Sequence, residues 1–263
     1  MSELTDWVEQ AETASAKGDD KRAALAWAMV TALDPASADA KHNLGNALGR
    51  LGRQIEAAQS FLDAIDMDPS RADSRISLGS VLLDLGQTKD ALSILDEALE
   101  LDPASVPAAW NKSLALLRSG DLKQGLRMFE TRLLRPQSMQ PPVTAPLWDG
   151  KPFDGTLCVW AEQGLGDVLH FARYLGLIGE RAGQVILLVH PELVSLLQFN
   201  FPGIEVAAFK TEVGAERQIP LLSLAGLFGA FGPSPPYLAA DPDCDSLWAI
   251  RLGGPEFKVG LAW

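Results

Sequence analysis

The stretch AEQGLGDVLHFARYLG, residues 161–176, holds the side chains whose types and spacing most clearly allow chemistry. Gly164, Gly166 and Asp167 lie between an apolar run and a segment with helical periodicity. Glycines that open a helix let a phosphate approach the backbone. We therefore take this turn as the first candidate for a ligand site.

Two nucleotide-binding motifs fit this turn poorly. The dinucleotide fingerprint needs a third glycine where Leu169 stands, and the next predicted strand ends in His190 instead of an acid for a ribose hydroxyl. A P-loop is excluded because the sequence contains no GK[ST]. A simpler interpretation is that Asp167 caps the following helix and that the glycines only permit the turn. The local sequence leaves this interpretation open.

Strand and helix patterns alternate in the half of the sequence that contains the turn. The predicted strands are 156–161, 184–190, 203–209, 217–224 and 257–263, and the predicted helices are 166–181 and 191–199. This alternation favours an α/β fold with a parallel sheet, in which ligands bind at the carboxyl ends of the strands. The glycine turn follows the first predicted strand, so we expect it at that edge of the sheet.

A repeat of 34 residues governs the first half of the sequence. The residues that mark it are Gly18, Gly52, Gly86 and Gly120, followed by Pro35, Pro69 and Pro103. Each glycine permits a tight turn between two helical segments, and each proline ends the second segment. The pattern predicts four helical hairpins, at 4–37, 38–71, 72–105 and 106–139, with eight antiparallel helices in a right-handed superhelix. The fourth departs from the pattern at Lys112 and Arg132, where apolar residues are expected.

These columns resemble the tetratricopeptide repeat family, and the residues that carry the resemblance are Trp7, Gly45, Ala57, Phe61, Ala64 and Pro69. The resemblance implies a concave surface, lined by the first helix of each hairpin, that binds a protein or peptide. In the similar repeats of O-linked N-acetylglucosamine transferases, asparagines of one column hold a peptide backbone, and Asn43 and Asn111 occupy that column here, with Asn46 nearby. An amide both donates and accepts, so it can hold a chain of any sequence. That these are ordinary exposed polar residues remains open.

Composition and charge exclude several classes of function. The net charge of −12 argues against binding to nucleic acid or to an anionic membrane surface. Two cysteines without a CxxC do not make a disulfide framework, and no apolar run is long enough to span a membrane. The polar N-terminus is unlike a signal peptide, so the cytoplasm is the expected compartment. Three scattered histidines predict no metal site, and no cofactor is expected.

A second resemblance extends over the rest of the chain. The segment EQGLGDVLHFARYL, with PLWDGKPFDG, IPLLSLAGLFG, PPYLAAD and KVGLAW, looks like glycosyltransferases of the ADP-heptose:lipopolysaccharide heptosyltransferase type. The order of segments is similar to bacterial tetratricopeptide-repeat proteins that carry such a domain. The resemblance implies a GT-B fold of two Rossmann-like halves, the first of which mostly binds the acceptor. It also implies that Asp167 is the catalytic base, that Gln163, Gly164, Gly166 and His170 lie near the substrates, and that no metal is needed.

The predicted organisation is four repeats over 1–137, a proline-rich linker over 138–154, the Rossmann-like first half of a GT-B glycosyltransferase over 155–252, and the first strand of a missing second half over 253–263. The parent function would be transfer of a sugar from a nucleotide-sugar, as substrate, to a protein or glycan acceptor. We expect this chain to be inactive alone. The alternative is a non-catalytic scaffold, in which the repeats bind a protein and the α/β half is structural.

Overall fold

The computed structural model describes residues 3–136, 138–229 and 236–253, and it divides into two compact units, Met1–Ser138 and Met139–Trp263. The described part of the first unit is helical. The second unit combines a small sheet with short helices.

Eight α-helices form the first unit, each packed against the next along the chain. They are α1 Glu3–Ala16, α2 Asp20–Leu33, α3 Ala38–Arg50, α4 Gln54–Met67, α5 Ala72–Asp84, α6 Thr88–Leu101, α7 Val106–Ser119 and α8 Leu122–Phe129, followed by a 3₁₀ turn over Glu130–Leu134. This arrangement confirms the four hairpins that the 34-residue period predicts.

The turn inside each hairpin contains the repeating glycine. Gly18, Gly52, Gly86 and Gly120 all have a left-handed backbone, with φ between 69° and 91°. A side chain with a β-carbon is strained in this region, which explains why glycine recurs there. The prediction that these glycines lie in turns and not within helices is confirmed.

Close contact between the two helices of a hairpin depends on small residues facing large ones. A β-carbon added to Gly45 would lie 2.7 Å from the Phe61 ring, and one added to Gly79 would lie 2.6 Å from the Leu95 Cγ atom. Phe61 and Leu95 are fully buried. Glycine in α3 and α5 therefore lets the second helix of each hairpin approach, as ridge-and-groove packing requires.

Ion pairs at equivalent positions join the two helices of a hairpin, and ion pairs also accommodate the two cations of the fourth repeat. Lys41 lies 2.7 Å from Asp63, and Arg75, one period later, lies 3.1 Å from Glu97. Of the two cations that replace apolar residues in the fourth repeat, Lys112 pairs with Asp96. The buried Arg132 pairs with Glu130, donates to the Phe129 carbonyl at 3.3 Å and stacks over the Phe129 ring. Both departures from the repeat pattern are accommodated by charge pairing.

The second unit is built on a four-stranded parallel sheet. Its strands are β1 Phe153–Trp160, β2 Ala182–Val189, β3 Glu205–Ala208 and β4 Arg217–Pro220, in the spatial order β3-β2-β1-β4. The central strand β1 is buried along its carboxyl half, and the Trp160 Nε1–H donates to Gln218 Oε1 at 2.6 Å. The parallel sheet that the alternating pattern predicts is confirmed.

The helices of this unit are shorter than the sequence predicts. The predicted helix 166–181 is α9 Leu165–Phe171 followed by 3₁₀ turns over Ala172–Leu177 and Gly179–Arg181. Gly179 has a φ of 52°, which a continuous right-handed helix excludes. The next helix, α10, is Val194–Asn200, preceded by a 3₁₀ turn from Pro191.

The last predicted strands also differ. The predicted strand 217–224 ends at Pro220, because the chain turns at Leu221 and Leu222 into α11, Ser223–Phe228. A further helix, α12, covers Pro242–Leu252. The predicted strand 257–263 and most of the segment 253–263 lie outside the described residues.

The proline-rich linker is partly built into the second unit. Trp148 is buried, its backbone N–H donates to the Gln218 carbonyl, and its ring N–H donates to the Lys151 carbonyl at 2.8 Å. The Pro146 carbonyl in turn accepts from the Gln218 N–H. Residues 146–148 thus cover the free edge of β4. Across residues 3–136, 138–229 and 236–253, none of the helices combines the length and the apolar character that crossing a membrane requires.

Candidate functional site

The inner face of the first unit is formed by the first helix of each hairpin. Helix α5 contacts both α3 and α7, while no contact of similar extent joins α2, α4 and α6 to one another within the described residues. Helices that approach each other more closely lie on the inside of a curved stack. The contacts therefore place α3, α5 and α7 on the concave side, and α1 occupies the equivalent position in the first hairpin.

Short polar and acidic side chains cover this surface, which we call the inner face. Its residues are spaced three or four apart on each first helix, so they share one side of it. They are Thr5, Glu9 and Glu12 on α1, Asp39, Asn43 and Asn46 on α3, Asp73, Ser77 and Ser80 on α5, and Pro107 and Asn111 on α7, all exposed or half-buried.

The three predicted asparagines lie on the inner face in different hydrogen-bonding states. Within the residues that the structure describes, the Asn43 amide makes no hydrogen bond. Asn46 donates from Nδ2 to the His42 ring at 2.9 Å, and Asn111 makes a long contact of 3.4 Å from Nδ2 to the Ile76 carbonyl. Asn43 therefore has all of its hydrogen-bonding capacity available, and Asn46 and Asn111 have part of theirs.

His42 is a half-buried polar residue of α3, beside the inner face, to which the sequence interpretation gave no role. Its Nδ1 atom lies 2.9 Å from Ser74 Oγ on α5, and its ring packs 5.5 Å from the Phe61 ring. Burial lowers the pKa of His42, Asp73 and Asp39 oppose this effect, and Arg71 reinforces it. The repeat pattern contains a signal for it, since His42 occupies a column whose other members are Val8, Ile76 and Trp110.

The cations near the inner face are committed to ion pairs. Arg71 pairs with both Asp39 and Asp73, and it holds the pKa of Asp73 below its ordinary value. Arg50 pairs with Asp20 on α2. The inner face therefore offers amides, hydroxyls and carboxylates to a partner, with its guanidinium groups already engaged.

In the second unit, the glycine turn lies at the carboxyl end of the central strand β1. Strands β2 and β3 lie on one side of β1, and β4 lies on the other. The carboxyl end of the strands is the edge at which open α/β sheets bind ligands. The predicted residues Gln163, Gly164, Gly166, Asp167 and His170 follow β1 at this point, and all are exposed.

Asp167 does not cap the helix, contrary to the simpler interpretation. Helix α9 begins at Leu165, so Gly164 is the residue before it and Asp167 is the third residue inside it. No side chain caps α9. Asp167 lies in the first helical turn, where a carboxylate still interacts favourably with the helix dipole. Asp167 is exposed at the carboxyl end of β1.

The two glycines are not required by the local backbone. Gly164 has φ −65° and ψ 171°, an extended conformation that any residue adopts, and Gly166 lies within α9. A β-carbon added at either position would meet no atom within 4 Å. The turn that these glycines are interpreted to permit therefore does not require a glycine at either position. They leave open space against the main chain beside Asp167.

Two histidines lie near this edge. The exposed His170 ring contacts the Phe171 ring edge-on at 5.1 Å, and the Leu169 carbonyl beside it accepts from the Tyr237 hydroxyl at 2.9 Å. His190 follows β2 and packs edge-on against Phe209 at 5.0 Å. Throughout the described residues, the structure has no group of three or more His, Cys, Asp or Glu placed to hold a metal ion.

Comparison with known proteins identifies the repeats. Residues 38–71 and 82–138 match two family models that are each described as a tetratricopeptide repeat. The first unit carries tetratricopeptide repeats. The matched residues include α3 and α4 in full and α7 and α8 in full. The tetratricopeptide unit thus contains Asn43, Asn46 and Asn111 within matched segments.

One similar curated protein is Protein FlbA of Caulobacter vibrioides, which is 32% identical over 142 residues covering 44% of this chain. The chain spans only 24% of the length of FlbA. Similar solved structures include MamA from Desulfovibrio magneticus, at 20% identity and a TM-score of 0.47, covering 49% of this chain and 73% of that one. YrrB, described as a TPR protein with an unusual peptide-binding site, is 26% identical with a TM-score of 0.44, covering 49% and 67%.

Proposed function

We propose that the tetratricopeptide unit binds an extended segment of a partner protein along its inner face, with Asn43 and Asn46 hydrogen-bonding the main chain of that segment. The observation that carries this proposal is the unused amide of Asn43, half-buried on a surface of short side chains.

The chemistry of the inner face suits a main chain in extended conformation. Such a chain presents N–H and C=O groups that need partners, and a primary amide supplies both a donor and an acceptor. Ser77 and Ser80 on the neighbouring α5 are short, so they leave room for a chain to cross. Each hydrogen bond of this kind contributes about 1 kcal/mol.

Asn111 has a smaller role in this proposal. Its Nδ2 group contacts the Ile76 carbonyl, which ties α7 to α5. Its carbonyl oxygen and one amide hydrogen are then left for a ligand. Replacing Asn111 should therefore affect the contact between repeats as well as peptide binding, and Asn43 is the cleaner position for a test.

The test begins with selection of short random-sequence peptides, by display, against the full chain. Side-chain amide resonances of asparagine and glutamine are then followed by NMR as the selected peptide is added. We expect the Asn43 and Asn46 side-chain signals to shift, and the signal of Gln124, on the second helix of the fourth repeat, to stay in place. Selection of no peptide, or shifts confined to the second helices, would contradict the proposal.

A second function is proposed for the α/β unit, supported by the open glycines and by the exposed Asp167 after β1. We propose that this edge of the sheet binds a hydroxyl-bearing acceptor and that the unit forms the first half of a GT-B glycosyltransferase. Asp167 would take the proton of the acceptor hydroxyl as that oxygen bonds to the anomeric carbon of a nucleotide-sugar, and the nucleotide diphosphate would leave with the electrons of the broken C–O bond.

Charge predicts which substrate this unit holds. After Arg135 the chain has 7 Lys and Arg against 13 Asp and Glu, so it has little positive charge to attract a diphosphate. We expect nucleotide-sugars alone to bind no more tightly than about millimolar, or about −4 kcal/mol. Calorimetry with UDP-, GDP- and ADP-sugars tests this expectation. A micromolar site would mean that this half binds the donor.

A further inference from the structure

We infer that His42 is a positioning residue that orients the Asn46 amide and so sets which group of a bound main chain Asn46 recognises. The inference rests on the proposed function of the inner face, and it concerns the specificity of that same surface. It starts from the two ring nitrogens of His42, each of which has a partner.

The hydrogen bonds define the state of the ring. The Asn46 Nδ2 group lies 2.9 Å from His42 Nε2 and can only donate, so Nε2 must be the unprotonated nitrogen. A neutral imidazole then carries its proton on Nδ1, which donates to Ser74 Oγ at 2.9 Å. In this tautomer, with the proton on Nδ1, the ring bonds both Ser74 of α5 and the Asn46 amide.

The orientation of Asn46 follows from this tautomer. Its NH₂ group is turned toward the ring, so its Oδ1 atom is turned the other way. In the described residues, no donor is bonded to Asn46 Oδ1, and Asn46 itself is half-buried on the inner face. Asn46 therefore turns its carbonyl oxygen, an acceptor that suits a main-chain N–H, away from the ring, while one hydrogen of its NH₂ group is not used by the ring.

The groups around His42 favour the neutral ring but also provide a way to change it. Burial disfavours the charged form, and Arg71 does the same. Two carboxylates favour protonation of the ring, Asp73, whose Oδ2 lies 3.7 Å from Nε2, and Asp39. The other neighbours add little charge, because Phe61 on α4 is uncharged and Lys41 is paired with Asp63. A protonated ring has two donors, so the Asn46 oxygen must turn toward Nε2 or give way to Asp73. The NH₂ group of Asn46 then faces the ligand, and recognition changes from N–H to C=O.

The first experiment uses the free full chain and needs no peptide. Histidine ring nitrogens are followed by NMR across a pH titration, with His42 assigned by its loss in His42→Gln. We expect Nε2 to be the unprotonated nitrogen of neutral His42. In Asn46→Asp a carboxylate faces Nε2, so the proton affinity of His42 should rise tenfold or more.

Asn43→Asp is the matched control, because it adds the same charge to α3 one helical turn away from Asn46. It should raise the proton affinity of His42 clearly less than Asn46→Asp does. An Nε2-protonated ring at neutral pH, or an equal response to the two variants, would overturn the inference.

The second experiment uses the selected peptide with each backbone N–H replaced in turn by an ester oxygen. One ester should weaken binding to the wild-type chain about fivefold, as expected for one lost hydrogen bond. The same ester should cost nothing further in Asn46→Ala. An ester profile that is identical in the two proteins would contradict the inference. If selection yields no peptide, the proposed function fails, and the tautomer measurement still decides whether His42 orients Asn46.

Discussion

Glycine has different physical roles in the two units. In the tetratricopeptide unit, Gly18 and its equivalents need a left-handed backbone, and Gly79 leaves no space for a β-carbon beside Leu95. In the α/β unit, Gly164 and Gly166 meet neither condition. A glycine that the fold requires reports on packing. A glycine that neither the backbone nor the packing requires, such as Gly164, is a candidate for contact with a ligand, which is the role proposed above.

The units also differ in how far apart along the sequence their contacting residues are. Each repeat helix packs mainly on its neighbours along the chain, whereas β1 pairs with residues of β4 about sixty positions later. The predictions below test this comparison, from the largest expected effect to the smallest.

Removal of the ring that fills the second hairpin should have the largest effect. Phe61→Ala is expected to lower the free energy of unfolding by about 4 kcal/mol, because it removes a fully buried side chain and leaves a cavity against Gly45. Urea unfolding followed by circular dichroism measures this loss. Leu62→Ala, on the same helix but 42% exposed, is the control and should cost well under half as much. Equal losses would contradict the packing described here.

Adding side chains to glycines separates the two roles directly. Gly79→Val should cost about 3 kcal/mol by overpacking against Leu95, and Leu95→Ala in the same chain should recover part of that loss. Gly164→Ala and Gly166→Ala should leave the unfolding free energy within about 0.5 kcal/mol of wild type or raise it. A large loss at Gly166 would show that the fold does require it.

The buried hydrogen bond of the sheet should have an intermediate effect. Gln218→Leu leaves the Trp160 ring N–H without its acceptor, which should cost about 2 kcal/mol. Gln184→Leu, at an exposed position of β2, provides the comparison and should change stability little. Urea unfolding monitored by tryptophan fluorescence measures both variants. Similar losses in the two proteins would contradict the role assigned to the Trp160 bond.

The sequence predicts the repeats more completely than the site. The 34-residue spacing is enough to place every turn of the first unit, because each hairpin repeats the same local contacts. It also predicts strands β1 and β2, which are apolar runs. It does not predict the 3₁₀ turns after Phe171 or the end of β4 at Pro220, since these depend on packing across the sheet. His42 was missed because its partners Ser74 and Asp73 lie in the next repeat.

Stability should depend on pH through His42. Because burial lowers its pKa in the folded state, the unfolded chain binds more protons below the ordinary value of 6.5. The unfolding free energy should therefore be highest above 6.5 and fall as the pH drops through the lowered pKa. His42→Gln should reduce this dependence. Chemical denaturation at several pH values compares the two proteins, and identical profiles would exclude His42 as the source.

The smallest effect is a difference in reactivity between the two thiols. Burial raises the pKa of Cys158 to about 11, while Cys244 is exposed on α12. In mildly alkaline buffer, a disulfide-exchange reagent should modify one thiol of the native protein quickly and the second only after unfolding. Mass spectrometry of the modified peptides identifies the residue. Rapid labelling of Cys158 would mean that β1 is less protected than its position in the sheet requires.

The central claim is that the amides of the inner face hold the main chain of a partner. The most direct measurement is the affinity of the selected peptide for the Asn43→Ala, Asn46→Ala double variant, by calorimetry, with Gln124→Ala as the control of equal chemistry on a second helix. Loss of two hydrogen bonds predicts weaker binding by about 2 kcal/mol, or roughly 30-fold, with an unchanged control. Wild-type affinity in the double variant, with its helical content intact, would contradict the claim.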